Sequence, residues 1–431
     1  MSDSLVENGV VGAGGGGFPA SAKFSVKVPT FIVNAAECEP LLHKDKELLV
    51  HCRDDFFRGL AVAMARTGAS EGVIGVKEKY GELISSLEAV LPAGVRVQPL
   101  SDTYPAGDEF VLVHEVTGRL IPPGGLPRDA GCAVSNVETL VNIGMDRPVT
   151  TKFLTVAGAV RKPLTLRVPV GISFRECVAE AGGASVPKYG VLSGGVMMGS
   201  FVSDLDGPVT KTTGGIIVLP EDHPVLRRYL STDAQVRRIG KSACDQCSFC
   251  TELCPRYLLG HPIQPHLAMR SLGFELATEP LLEGTLFCSG CNLCSMYSCP
   301  EDLDPRRVCS MDKAVALKRG LQWKGDPKGV RSHELLEWRR VPSSRIMRKL
   351  GLNEFVNEGP LKPGTAKTWR VKLLLKQGAG VPAEPRVEAG QRVGEGELVA
   401  SVPEGKLGVN LHASIAGRVT FADGAIVVEG G

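Results

Sequence analysis

The sequence has little of what nucleic-acid binding, membrane insertion or long helical bundles require. Lys and Arg number 49 against 47 Asp and Glu, a net of +2, so no cationic excess exists to neutralise a phosphate backbone and nucleic acid is not an expected partner. No stretch of about 20 residues is apolar enough to span a bilayer. The uncharged runs 8–22 and 189–203 are short and rich in glycine. The start, MSDSLVENGV, lacks a basic segment before an apolar one, so a secretory signal is not expected and a cytoplasmic location is. Aromatics are scarce at 5%, whereas Gly 51 and Pro 29 are plentiful, which favours turns and close backbone approaches over bundles. A chain of 431 residues with 43% hydrophobic content has room for about three domains.

Residues 1–148 read as alternating strands and helices. TFIVNA (30–35), 72–76 and 95–100 have strand length, and apolar residues recur at helical spacing over 48–64 and 83–91. That alternation predicts a parallel sheet with right-handed crossovers, an α/β domain. Residues 149–225 read as a small α+β module, 226–335 as a cysteine region with helical spacers, 336–367 as a Pro/Ser-containing linker, and 368–431 as a small all-β domain.

Eight of the 13 cysteines fall within 56 residues. Cys244, Cys247, Cys250 and Cys254-Pro255 form one run, and Cys288, Cys291, Cys294 and Cys299-Pro300 the other. Three cysteines at steps of three, with a fourth just beyond and then a proline, are what a 4Fe-4S cube needs, the fourth thiolate going to the other cube. By that crossed pattern one cluster takes Cys244, Cys247, Cys250 and Cys299, and the other Cys288, Cys291, Cys294 and Cys254. The second run has four residues rather than three before its last cysteine, which leaves its crossing open. Two zinc sites are the alternative, although zinc modules usually offer separated CxxC pairs. Cys38, Cys52, Cys132, Cys177 and Cys309 read as buried structural thiols.

GAGGGGFP (12–19) formally contains GxGxxG, but no clean strand precedes it, which argues against a simple dinucleotide fold. Its missing Cβ atoms would let backbone N–H groups approach a phosphate or a flat ring, with Lys23 near enough in sequence to neutralise the charge. NAAECEP (34–40) lies at the C-terminal end of an expected parallel strand, where open α/β sheets bind ligands. YPAGDE (104–109) and SNVET (135–139) add further polar clusters.

These four motifs together resemble the FMN and NADH site of the flavin-binding subunit of respiratory complex I. The C subunit of the Rnf electron-transport complex and the cobalamin reductases of propanediol-utilisation microcompartments are more similar still. The domain order of the latter group fits nearly the whole chain: flavin domain, β-grasp SLBB domain, ferredoxin-like domain with two 4Fe-4S clusters, C-terminal barrel-sandwich domain. The Rnf protein normally carries its barrel-sandwich at the N-terminus, whereas this chain starts at the flavin loop. The resemblance implies FMN contacts at Gly12, Gly14, Lys23, Asn34, Glu37 and Asn136, and NADH contacts at Gly15, Phe18 and Glu39, with Gly107, Asp108 and Glu109 over the same pocket. Ala36 stands where the complex I pattern has an acid, and Asp108 where it has Glu. GGVMMG (194–199) resembles an Rnf-type GGPMMG motif and reads as a tight turn. Lys406 lies eleven residues before Gly417, the spacing of a lipoyl lysine, but Gly405 and Leu407 flank it, so the C-terminal domain is expected to be an unmodified docking element. The implied activity is NADH-dependent reduction of a corrinoid through FMN and two clusters, with no side chain acting as a nucleophile or acid. The alternative is an Rnf-like adaptor passing electrons to another complex. Implied partners are NADH, a corrinoid or a corrinoid-handling protein, and a redox or microcompartment protein, with location inside a microcompartment as one option.

Overall fold

The structure, a computed structural model, describes residues 3–274 and 278–430. Its first sheet is fully parallel, in the order Val95–Leu100, Glu71–Lys77, Thr30–Ala35, Cys132–Asn136. Side chains alternate across a strand, so Phe31 and Val33 join one core with Leu48, Phe56 and Leu60, while Ile32 joins another with Val73, Leu112 and Val134. Helices therefore cover both faces, as a parallel sheet requires. Periodicity alone does not mark the strand Cys132–Asn136. It pairs beside Thr30–Ala35 and carries Asn136 to the same sheet edge as Asn34.

The second sheet has six strands, ordered Leu361–Thr365, Leu164–Pro169, Thr151–Gly158, Gly215–Pro220, Tyr189–Ser193, Ser200–Phe201. One helix, Phe174–Glu180, closes its core and starts on a Ser173–Glu176 capping box. Between 224 and 318 short helices alternate with the cysteine loops. From Arg370 two small antiparallel sheets enclose Val371, Leu373, Val399, Leu411, Val419 and Ile426, the barrel-sandwich. Lys406 stands exposed in a turn.

The segment 336–367, expected to be a linker, is folded against three other parts of the chain. Val341–Pro342 pairs with Thr103–Tyr104, Ser343–Lys349 is helical, and Leu361–Thr365 adds a parallel edge strand beside Leu164–Pro169. Its prolines do not preclude this, because Pro342 fits the position before a helix and Pro363 lies on an edge strand. Val341, Ile346 and Leu352 supply apolar side chains that are buried. Among the described residues no helix is long and apolar enough to cross a membrane.

Candidate active site

The glycine loop closes on itself between paired Val11 and Pro19, with Gly12 N–H donating to Phe18 O at 2.9 Å and Gly17 N–H to Gly12 O at 3.1 Å. Ala13 anchors its floor: its N–H donates to Thr139 Oγ1 at 3.0 Å, and its carbonyl accepts from Lys152 Nζ at 3.0 Å. The N–H groups of Gly14, Gly15 and Gly16 make no hydrogen bond among the described residues. A Cβ at Gly15 or Gly16 would meet nothing within 4 Å. Three free donors, two of them in open space, form a cradle suited to a phosphate. Gly14 packs on Asn136, leaving 3.2 Å between a Cβ and that side chain.

This loop roofs a cavity of about 460 Å³, within the usual range of small-molecule sites (roughly 300–1,000 Å³). Gly12, Gly14, Phe18, Lys23, Asn34, Glu37, Glu39, Gly107, Asp108, Glu109 and Asn136 all line it. Of the expected pocket residues only Gly15 is not part of its wall, standing in open space between Gly14 and Gly16.

Several of these side chains are already partnered. Lys23 Nζ pairs with Glu109 Oε1 at 2.6 Å. Asn34 donates to Gly107 O at 2.8 Å and accepts from Ala36 N–H, fixing the 105–108 turn. Asp108 caps the helix Glu109–Thr117 through Phe110 N–H and meets Arg256 at 2.9 Å. Asn136 caps Val137–Gly144 and donates to Asp45 Oδ2 at 2.8 Å. Glu39 accepts from Met197 N–H at 2.9 Å and Met198 N–H at 2.7 Å; burial pushes its carboxyl up to about 7 against those donors.

Glu37 differs from them. Its Oε2 is shielded from solvent and has no partner. Burial first, and then the Asp45 carboxylate, push its carboxyl up to about 8. A shielded acceptor left unpaired costs about 1–3 kcal/mol, so a wall residue of this kind fits a ring with N–H donors such as a flavin's. Below the pocket, buried Glu138 receives Lys44 at 2.9 Å and also Lys152. Burial opposes the ionisation of Glu138, yet the two ammonium groups together hold its carboxyl below the usual value, and Lys152 is itself lowered to about 8 by burial. Sequence reading missed Lys44, Asp45 and Lys152. A charged residue inside the strand TKFLTVAG was the available signal for Lys152. It also missed Arg256 and Ser289, which line the pocket from the cysteine region and which no local pattern marks.

The cysteine loops match each other in backbone conformation. Gln246 and Gly290, at equivalent positions, have φ of 62° and 73°, and Ser248 and Asn292 both have 66°. Left-handed turns at those points curl each CxxCxxC run around a centre, at a strain cost typical of functional loops. Cys244, Cys247, Cys250 and Cys299 face one small cavity. Cys254 lies with Cys288, Cys291 and Cys294, close enough for their thiols to disfavour one another's ionisation. The longer spacing of the second run is taken up by a π-helical turn over Cys294–Ser298, closed by Cys299 N–H to Cys294 O at 3.1 Å. Four thiols around each of two centres are the donor set of two cubic clusters. Cys309 is fully buried beside Cys288.

A phosphate cradle at the edge of a parallel sheet, with two thiol quartets behind its wall, defines a flavo-iron-sulfur oxidoreductase whose cofactors are FMN and two 4Fe-4S clusters. Residues 5–145 match the Nuo51 FMN-binding domain, 153–201 the SLBB domain, 243–304 the 4Fe-4S dicluster domain and 356–429 the RnfC barrel sandwich hybrid domain. The chain is 44% identical over 429 residues to the cobalamin reductase PduS of Salmonella typhimurium, covering 98% of this chain and 95% of that one. Its identity to the PduS of Citrobacter freundii is 44% over 419 residues, 96% and 92% of the two chains. The C subunit of the Na(+)-translocating ferredoxin:NAD(+) oxidoreductase complex of Acetobacterium woodii is 33% identical over 267 residues, 59% of this chain and 57% of that one. The chain belongs to the PduS family of cobalamin reductases.

Proposed function

We propose that the chain oxidises NADH in the pocket under the glycine loop and delivers the electrons to a corrinoid, keeping a B12-dependent enzyme supplied with reduced cofactor. Bound FMN would supply hydride acceptance and one-electron release, and the clusters single-electron relay. The free N–H groups of Gly14 to Gly16 and the Lys23 ammonium, released from Glu109, hold the FMN phosphate. Glu37, Asn34 and Asn136 face the ring, with Asn34 and Asn136 acting mainly by holding Gly107 and Asp45 in place. Phe18, exposed at the rim, and the 107–109 turn flank the space left for the nicotinamide nucleotide.

One observation carries this reading: Arg256 and Ser289 line the same cavity as the glycine loop, and they are neighbours in sequence of Cys254 and Cys288. The Cys254, Cys288, Cys291 and Cys294 quartet would therefore hold the cluster that takes electrons from the flavin pocket, and the other quartet, whose Cys247 is exposed, the cluster that passes them on. The corrinoid is chosen because both PduS relatives that align over nearly the whole chain carry that activity in their names. A cytoplasmic location, inside a microcompartment, and a corrinoid-handling or redox partner protein belong to the same proposal.

The test is anaerobic. NADH and cob(III)alamin are mixed with reconstituted protein, and the corrinoid spectrum is followed beside the reduction of an artificial dye. The parent should reduce both, and Cys291→Ala should keep NADH bleaching of the flavin while losing the corrinoid. Fast dye reduction with an unchanged corrinoid, even beside a B12-dependent enzyme, would replace the corrinoid by a protein acceptor, as in the Rnf-like alternative.

A further inference from the structure

The turn 194–199 is held from three sides. From the flavin domain, the two carboxylate oxygens of Glu39 accept from the N–H groups of Met197 and Met198. From the helix Pro224–Leu230, Tyr229 OH lies 3.1 Å from both Val196 O and Met197 O. From the cysteine region, Asn292 Nδ2 donates to Met197 O at 2.9 Å, and Asn292 directly follows Cys291. Tyr104, from the flavin domain, donates to Cys291 O at 2.6 Å.

The packing leaves this arrangement no slack. Gly195 has φ of 133°, and a Cβ there would lie 2.4 Å from Glu39 Oε2. Val196 and Met197 are fully buried, while Met198 is 52% exposed and its side chain lines the pocket. Each carboxylate oxygen of Glu39 is thereby committed to a backbone donor of the turn.

We infer that Glu39 is a positioning residue: it clamps the 194–199 turn, and that turn sets the flavin pocket at a fixed distance from the Cys254, Cys288, Cys291 and Cys294 quartet while presenting Met198 as a pocket wall. The inference rests on the electron route proposed above. It replaces the direct NADH contact that family resemblance implies for Glu39.

The experiment compares reconstituted parent, Glu39→Gln, Gly195→Ala and Tyr229→Phe in the full chain. Gln puts an NH2 group against an N–H donor, Ala drives a methyl group into the Glu39 carboxylate, and Phe releases the turn from its far side. Three readouts are taken: amide hydrogen exchange at Met197 and Met198, KM for NADH with a dye acceptor, and the rate of cluster bleaching after NADH is added. The variants should exchange those two amides on the order of 10- to 100-fold faster and bleach the clusters roughly tenfold or more slowly, and any rise in KM for NADH should come only with that faster exchange. A raised KM in Glu39→Gln, with the Met197 and Met198 amides still protected, would overturn the clamp and restore Glu39 as a nucleotide ligand. If Glu39→Gln and Gly195→Ala fail to fold, the parent decides, since unprotected amides at Met197 and Met198 there would equally overturn it. If NADH does not reduce the parent's clusters, the electron route fails while the amide readout still judges the clamp.

Discussion

Replacing Gly59 by Ala should loosen the flavin site although Gly59 is not part of its wall. Gly59 sits inside the helix Arg53–Thr67 where that helix crosses Val137–Gly144. A Cβ on it would lie 1.8 Å from Leu140 O and 2.7 Å from Leu140 C. Gly144 stands in the same relation to Asp55 O, at 1.8 Å, so the two backbones touch through paired glycines. Ordinary contact begins at 3.4 Å, so the helices must part by about 1.6 Å. Two effects oppose each other. Ala in a helix interior is favoured over Gly by about 1 kcal/mol. Overpacking of this kind costs about 1–3 kcal/mol and sometimes more. The displaced helix also carries Thr139, whose 3.0 Å bond to Ala13 N–H is lost beyond 3.5 Å and is worth about 1 kcal/mol. The clash wins, with a net loss of about 1–3 kcal/mol. Because Ala13 anchors the glycine loop, FMN affinity should fall by roughly tenfold for each 1.4 kcal/mol that reaches the loop. The assay is denaturant-induced release of FMN followed by its fluorescence, with Gly81→Ala as control. Gly81 begins the helix Gly81–Glu88, and a Cβ there meets nothing within 4 Å, so that change should be neutral or stabilising. A Gly59→Ala protein as stable as Gly81→Ala, with full FMN retention, would refute the reasoning.

Lys23→Ala should weaken FMN retention by roughly 10- to 100-fold, the worth of a charge-assisted hydrogen bond, and leave iron content unchanged; equal flavin occupancy would count against the cradle. Glu37 holds its proton in the folded chain up to about pH 8 but releases it near 4.5 when unfolded, so its contribution to stability is full below about 4.5 and lost as pH rises toward 8. Glu37→Gln should flatten that decline in flavin-free protein, measured by denaturation at several pH values, and an unaltered slope would show that Glu37 is ionised in the fold. Cys254→Ala with Cys291→Ala should remove one cluster, leaving about four of eight iron atoms, whereas Cys254→Ala with Cys247→Ala should remove both; iron analysis giving the reverse would mean that the quartets are not crossed.

Cysteine spacing is a local property, so both quartets could be read from the sequence, and so could strands such as Thr30–Ala35 whose apolar run is continuous. The feature that left the second crossing open, one extra residue before Cys299, became intelligible only as a π-helical turn, because spacing counts residues and not hydrogen-bond registers. Arg256 reaches Asp108 across 148 positions and stacks 3.3 Å from the Phe110 ring centroid, a juxtaposition that no periodicity encodes. The turn 194–199 was visible as a glycine-rich motif, but its purpose depends on Glu39, Tyr229 and Asn292, which arrive from separate parts of the chain. Segment 336–367 reads as a linker for a different reason: proline and serine weigh heavily in such a reading, and the buried Val341, Ile346 and Leu352 that dock it are spread too thinly to form a pattern.

Glycine gives the phosphate cradle its exposed N–H groups and at the same time makes its ordered conformation entropically expensive, since each glycine loses more freedom on folding than any other residue. The flavin domain offsets part of that cost through Thr139 and Asn136, and contacts from the other parts of the chain add to it. Lys152, from the second sheet, holds Ala13 O. Gly17, at φ of 60°, packs against Thr212 and against Gly378 of the C-terminal domain, and its carbonyl accepts from Ala379 N–H at 2.9 Å. Buried Lys211 spends its ammonium on Gly9 O at 2.8 Å and Asn410 O at 3.0 Å, tying the chain before the loop to two further domains at once. Arg256 adds the cysteine region through Asp108. The barrel-sandwich domain is thus part of what orders the cofactor site: three folded parts meet at the glycine loop, and the fourth closes the same cavity from the side of Asp108.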